Sequence, residues 1–133
     1  MKKFSAKVLV LVMATVLFCS CGKVLTLETV FNSAAGQKQI EETKASMMES
    51  FAGYYSDFDM YAEGNNLIYK YYFAPEMDEM ADTLKETLPT SADWESEIEK
   101  VKDDVESSSK IRPESITYAY YTSEGEEIFT VTK

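Results

Sequence analysis

Between the turn residues Gly64-Asn65-Asn66 and Pro75 the chain alternates, with Leu67, Tyr69, Tyr71 and Phe73 interleaving with Ile68, Lys70 and Tyr72. Successive side chains of a strand point to opposite faces, so this period-two run requires a sheet with one face in the core and another that leaves Lys70 in water. The set from Leu67 to Phe73 is therefore the core face. Asp59 to Glu63 precedes the run across the Gly-Asn-Asn turn. Further on, Ile116 to Tyr121 and Glu127 to Thr132 form a second strand pair joined through Ser123-Glu124-Gly125-Glu126.

Helical spacing fills the intervals. Thr26 to Phe31 is a short helical stretch, and Ser33 is placed to cap a longer helix running to about Tyr55, with Ile40, Met47, Phe51 and Tyr54 on one stripe. Pro75 can open a helix carrying Met77, Met80, Ala81, Leu84 and Leu88, and Pro89 ends it. Thr90 or Ser91 can cap the next, on which Trp94, Ile98, Val101 and Val105 form a stripe before Ser107-Ser108-Ser109. Such stripes of Met, aromatics and aliphatics read as core rather than as a cofactor site. The order helix-strand-strand thus occurs twice, and Glu63-Gly64 and Glu124-Gly125 stand 61 residues apart; shared turn chemistry accounts for the match as well as a repeat does. The expected fold is α+β: a two-layer sandwich of a four-stranded antiparallel sheet with the helices on one face. The two helices meeting at Pro89 form a helical hairpin that returns the chain to the same end of the sheet, which favours an antiparallel meander over a parallel crossover.

The amino terminus has a different character. Lys2, Lys3 and Lys7 precede an apolar run from Val8 to Phe18, followed by Cys19-Ser20-Cys21-Gly22. A basic start, a short apolar run and a small residue before a cut site are the requirements of a secretory signal, and the run is too short for a bilayer, which needs about 20 apolar residues. Phe18-Cys19-Ser20-Cys21 resembles the lipobox of bacterial lipoprotein signal peptides, in which the final cysteine receives the lipid. Phe18 departs from the usual aliphatic residue. If Cys19 were the acceptor, Phe18 would sit directly before the cut, where a small side chain is required, so Cys21 is the expected lipidation site. An ordinary secretory signal or an uncleaved anchor is the alternative. The expected division is a signal peptide over 1–20, a short tether over 21–25 and one α+β domain over 26–133. On that division no internal disulfide can form, and no second cysteine pair exists for a zinc site. Stable anchoring takes more than one acyl chain, so a diacylglyceryl-type anchor would hold the domain at the outer face of the cell membrane.

The lipobox, a Thr-Leu-Glu start soon after it, a helix, and the hairpin Ala62-Glu63-Gly64-Asn65-Asn66-Leu67-Ile68-Tyr69-Lys70-Tyr71 together resemble a family of small Gram-positive lipoproteins that carry a domain of unknown function. The resemblance implies a place and a fold. It brings no catalytic residue with it.

Charge narrows the partners. All 23 Asp and Glu lie beyond residue 20 while three of the 13 Lys and Arg lie before it, so the remainder carries a formal charge of -13. Nucleic acid is excluded as a partner, because phosphate binding requires clustered Lys and Arg. From Glu76 to Glu106 twelve Asp and Glu face three Lys. Rows at Asp78, Glu79, Asp82 and Glu86, and at Glu95, Glu99, Asp103 and Glu106, give the alternative reading of a cation-binding or envelope-structural lipoprotein. A solvated helix face is the simpler account. Asp57-Phe58-Asp59 ahead of Glu63-Gly64 superficially resembles a calcium loop but lacks the third ligand and the glycine at the required step, so helix-to-strand turn chemistry explains it better. The chain contains no His, no Gly-x-Ser-x-Gly elbow, no phosphate loop and no dinucleotide turn. A carboxylate pair for glycoside hydrolysis has little cleft to work in. The chain reads as a non-enzyme that implies no cofactor and no metal.

Tyrosine is the most informative residue type. Seven of nine fall in the expected strands: Tyr61, Tyr69, Tyr71, Tyr72, Tyr118, Tyr120 and Tyr121. The neighbours Tyr71-Tyr72 and Tyr120-Tyr121 cannot share a face, so one of each pair stands on the open face beside Lys70. Cross-strand packing alone can explain the enrichment, but tyrosine also gives large contact area at small entropic cost and stacks on sugars and aromatic groups. The expected function is a binding or interaction module contacting a protein, peptide or glycan of the cell envelope through Lys70, Tyr72 and Tyr121.

Overall fold

A computed structural model describes residues 26–133. The leader, the lipobox and Cys21 lie outside the described residues. In chain order the elements are helix α1 (Leu27–Asn32), α2 (Ala34–Ser50), strands β1 (Tyr55–Glu63) and β2 (Asn66–Phe73), a 3-10 helix (Pro75–Met80), α3 (Ala81–Thr87), a second 3-10 turn (Leu88–Thr90), α4 (Trp94–Ser109), β3 (Ser115–Tyr121) and β4 (Glu127–Thr132).

Local chemistry sets most of these boundaries. The Thr26 side chain accepts from Thr29 N–H to start α1, and Ser33 makes the corner between the first two helices, donating to the Val30 carbonyl (2.6 Å) and accepting from Gly36 N–H (3.0 Å). Gly36 is required there because a Cβ would stand 2.2 Å from the Val30 carbonyl oxygen. α2 stops at Ser50, short of the expected Tyr55, because Gly53 adopts φ +89° and turns the chain into β1. β1 consequently starts at Tyr55 rather than Asp59, and Tyr54 is the one tyrosine left outside the strands. Gly64 alone has positive φ in the two-residue turn to β2, as a type II′ hairpin demands. The cap of α4 is Asp93, which accepts from Ser96 N–H, rather than Thr90 or Ser91.

The sheet has the order β1-β2-β3-β4. β1 and β2 pair antiparallel, as do β3 and β4, but β2 and β3 run parallel with Asn66 opposite Ser115 and Tyr72 opposite Tyr121. The sheet is therefore mixed, which corrects the expected antiparallel meander. The connection is a crossover: the 3-10 helix, α3 and then α4 carry the chain from the far end of β2 back to the end where β2 starts, so β3 enters the sheet running parallel to β2.

The core lies between the helices and one face of the sheet. Leu67, Tyr69, Tyr71 and Phe73 of β2 and Ile116, Tyr118 and Tyr120 of β3 are buried, as the alternation required. Trp94, Ile98, Val101 and Val105 cover them from α4, Leu84 and Leu88 from the α3 region, and Leu27, Val30, Phe31 and Met47 from the first two helices. Trp94 packs against Tyr118, Tyr120 and Phe129, and its indole N–H donates to the Leu88 carbonyl (3.0 Å). Down the middle runs a stack of rings, with Tyr69 on Tyr118 (centroids 5.0 Å) and Tyr71 on Tyr120 (4.8 Å). Burial raises the pKa of all four phenols far above the ordinary tyrosine value, so the core carries no ionisable charge from them in any physiological range. Among the described residues the buried hydroxyls of Tyr69 and Tyr120 have no hydrogen-bond partner.

One end of the sheet is tied down more than the other. Asn65 in the β1–β2 turn accepts from Leu27 N–H at its side chain (3.0 Å) and from Glu114 N–H at its carbonyl (2.8 Å), and the Gly64 carbonyl accepts from Glu28 N–H (2.9 Å). The first helix, this turn and the start of β3 thus meet at one end.

Candidate functional site

The face of the sheet opposite the helices is the remaining surface built by regular structure. Register assembles it in rows. The row nearest the far end runs Asp57, Tyr72, Tyr121, Glu127; the next runs Asp59, Lys70, Ala119, Thr130; the third runs Tyr61, Ile68, Thr117, Thr132. Lys70, Tyr72 and Tyr121 are each half-buried and accessible, whereas Tyr71 and Tyr120 beside them in sequence are at 0% exposure.

Parallel pairing of β2 with β3 decides the central feature. It sets Tyr72 directly against Tyr121, and the rings stack with centroids 5.1 Å apart and planes at 20°. An antiparallel pairing of the same strands would have set Tyr72 toward the other end of β3. Lys70 stands two residues along β2 from Tyr72 on the same face, its ammonium 5.2 Å from the centre of the Tyr61 ring. The hydrogen-bonding contact with Tyr61 holds the Lys70 ammonium above its ordinary pKa, outweighing the opposing effect of partial burial. Burial also raises the Tyr121 phenol, with Lys70 pulling the other way. The face therefore presents a two-ring aromatic platform, one fixed cation and a carboxylate at each side of the platform, Asp57 and Glu127. Asp57 is itself paired with Lys44 (2.9 Å); although burial opposes it, that pairing and the Phe58 N–H hold its carboxyl below the usual carboxylate value. Such a surface can stack on a sugar ring or an aromatic side chain and hydrogen-bond at its edges.

The structure brings the three expected contact residues onto one face and adds Tyr61 and Asp57, which sequence reasoning had left out. The alternation of β1 counted back from Glu63 contains the signal for Tyr61. Asp57 was hidden by assigning Asp57-Phe58-Asp59 to a turn. These residues instead lie within β1, where Asp57 Oδ1 accepts from Phe58 N–H and Asp59 Oδ1 from Met60 N–H, both at 2.9 Å.

The acidic rows have other engagements. Arg112 bonds Glu99 (2.7 Å), Asp103 (2.7 Å) and Glu106 (3.2 Å), three members of the α4 row, and Asp78 accepts from both the backbone and the hydroxyl of Ser123. Among the described residues no three His, Cys, Asp or Glu side chains are grouped so as to hold a metal ion. No described helix is long and apolar enough to cross a membrane.

No curated protein and no solved structure matches the chain. A family does: residues 27–132 match the Domain of unknown function (DUF4854), a span that starts with the first residue of α1 and ends with the last of β4. With the whole of the described fold inside that match, the chain belongs to the DUF4854 family.

Proposed function

We propose that this protein is an extracytoplasmic lipoprotein, held to the outer face of the cell membrane by a diacylglyceryl-type anchor at Cys21. Its domain acts as a binding module for a protein, peptide or glycan of the cell envelope. The observation that supports the binding reading is the accessible Tyr72–Tyr121 stack on the sheet face that no described helix covers. A ring pair there gains nothing from core burial, yet its geometry matches that of the buried pair behind it.

The direction of the sheet fits the anchor. Thr26 starts α1 beside the Gly64-Asn65 turn, so a tether of a few residues from Cys21 attaches at that end. Tyr72 lies six residues along β2 from Asn66, about 20 Å away at the usual strand rise. On the lipoprotein reading, the aromatic platform points away from the membrane, toward the envelope.

Two measurements test the two halves of this reading. Intact mass and detergent partitioning of the full chain expressed in a bacterial host, beside Cys21→Ala, should show loss of residues 1–20, added acyl mass and entry into the detergent phase for the wild type alone. Equal behaviour of the two chains removes the anchor. For the face, the wild type and Tyr72→Ser/Tyr121→Ser should be compared for binding to isolated cell-wall glycan and to arrayed envelope-protein peptides, with thermal melting alongside. Retained melting with lost binding supports the module; a double variant that binds as well as the wild type, or one that unfolds, ends the assignment of these rings.

A further inference from the structure

Three basic side chains among the described residues are half-buried: Lys44, Lys70 and Lys102. Lys44 is paired with Asp57 (2.9 Å) and Lys102 with Glu99 (3.7 Å), as expected where carboxylates outnumber cations and a partly buried charge gains from a partner. Lys70 has no carboxylate within ion-pair distance among the described residues. Asp59 stands directly across from it on β1, but that carboxylate accepts from Met60 N–H (2.9 Å) and its charge acts on Lys44. What surrounds the Lys70 ammonium is aromatic: the Tyr61 ring, its centre 5.2 Å away, and the phenols of Tyr72 and Tyr121, close enough to act on its charge. A phenol hydroxyl donates as well as accepts, so Lys70, Tyr72 and Tyr121 can converge on one anion brought by a ligand.

Resting on the binding-module reading, we infer that this face takes a pyranose sugar that carries one carboxylate. The carboxylate sits on the Lys70 ammonium beside the Tyr72–Tyr121 stack, and an apolar C–H face of the sugar packs on a ring. A single acid is what the charge pattern admits. Asp57, Asp59 and Glu127 lie in the same rows, and the sequence beyond residue 20 carries a formal charge of -13, so a run of anions is repelled. One anion set on Lys70, the one cation in those rows, is attracted. The remaining polar groups ask for hydroxyl donors. Glu127 Oε1 accepts from the Thr130 hydroxyl (2.8 Å) and Asp59 Oδ1 from Met60 N–H, which leaves the second oxygen of each carboxylate for hydroxyls of the same sugar or its neighbour in a glycan. A peptide fits less well, because β2 and β3 lie inside the sheet with strands bonded on both sides and offer no ladder to extend.

Paired sugars that differ in the acid-bearing group test this: methyl glucuronide against methyl glucoside, and N-acetylmuramic acid against N-acetylglucosamine, titrated by ligand-observed NMR into the detergent-solubilised full chain. The acidic member of at least one pair should bind the wild type about tenfold more tightly or better, the scale of one charge-assisted hydrogen bond. Lys70→Met, which keeps the apolar stem, should abolish that preference, and Lys70→Arg should retain it. Tyr72→Ser/Tyr121→Ser should lose both members of the pair. The wild-type ratio needs no variant, so a Lys70→Met chain that fails to fold leaves the test standing. Equal affinity within both pairs, or a preference that survives Lys70→Met, overturns the carboxylate assignment and leaves the ring-face reading intact. Binding of no sugar by a face whose rings still capture envelope material overturns this inference alone. A face that captures nothing removes the inference together with the reading beneath it.

Discussion

Tyr71 and Tyr72 are neighbours in sequence, as are Tyr120 and Tyr121, and each stacks on its counterpart across the same parallel strand pair: the inner two at 4.8 Å and 12°, the outer two at 5.1 Å and 20°. Residue type, pairing and geometry are nearly identical on the two faces, and only the covering layer differs. The inner rings lie beneath α4, with Trp94 against Tyr120, at no solvent exposure. The outer rings stack on each other on the face that no described helix covers. Stacking is therefore a property of the strand register, whereas stability is a property of the cover. On the binding-module proposal, the outer pair is the one available for recognition.

The largest test of that separation is truncation. Tyr120→Ala or Tyr71→Ala should lower stability by about 3–5 kcal/mol through loss of buried area and the cavity left behind, measured by urea unfolding with Trp94 fluorescence. Disturbing the cover without touching a ring comes next. Gly36→Ala drives a methyl into the Val30 carbonyl at the corner between α1 and α2, and a cost of about 1–3 kcal/mol is expected from the same measurement. Tyr72→Ser/Tyr121→Ser should cost less than about 1 kcal/mol, the scale of an exposed cross-strand pair. An outer double variant that costs as much as the inner single ones would erase the distinction between the faces. The hydroxyls give a finer probe. A buried donor without a partner is unfavourable, so Tyr69→Phe and Tyr120→Phe should leave stability unchanged or raise it by up to about 1 kcal/mol; a loss larger than that would show that these hydroxyls are bonded.

The faces were legible in the sequence because burial repeats with a fixed period of two: Lys70 excluded its own set from the core, and every residue of the opposite set in β2 is buried. Strand direction was not legible, because period two is the same for parallel and antiparallel neighbours. What decided it was the end of the sheet to which the segment between β2 and β3 returns the chain, which apolar spacing does not encode; the spacing from Met77 to Leu88 also concealed that the first turns are 3-10 helix rather than α. The stacking of Tyr72 on Tyr121 was hidden for the same reason, since it exists only in the parallel register. The β1 edge was misread because Asp and Asn favour turns on average. Here Asp57 and Asp59 use the same short-range hydrogen bonding to protect a strand.

The smallest expected effect concerns the clasp that holds the cover to the sheet at the end where both ring pairs lie. Asp78, in the 3-10 helix after β2, accepts from the backbone N–H and the hydroxyl of Ser123, two residues beyond Tyr121. Those hydrogen bonds favour the carboxylate and lower its pKa below the ordinary value of 3.8. A group with a depressed folded pKa stabilises the fold fully above its unfolded value and loses that contribution as pH falls through the folded one. The clasp should therefore be intact at neutral pH and weaken only below about pH 4. Asp78→Asn keeps an acceptor for the Ser123 N–H but removes the charge, so at pH 7 it should melt slightly below the wild type, and the gap should close in acid as the wild-type carboxyl protonates. A gap that is constant from pH 7 to pH 3 would mean that the charge at Asp78 contributes nothing, and that the cover is held at this end by Trp94 and its apolar neighbours alone.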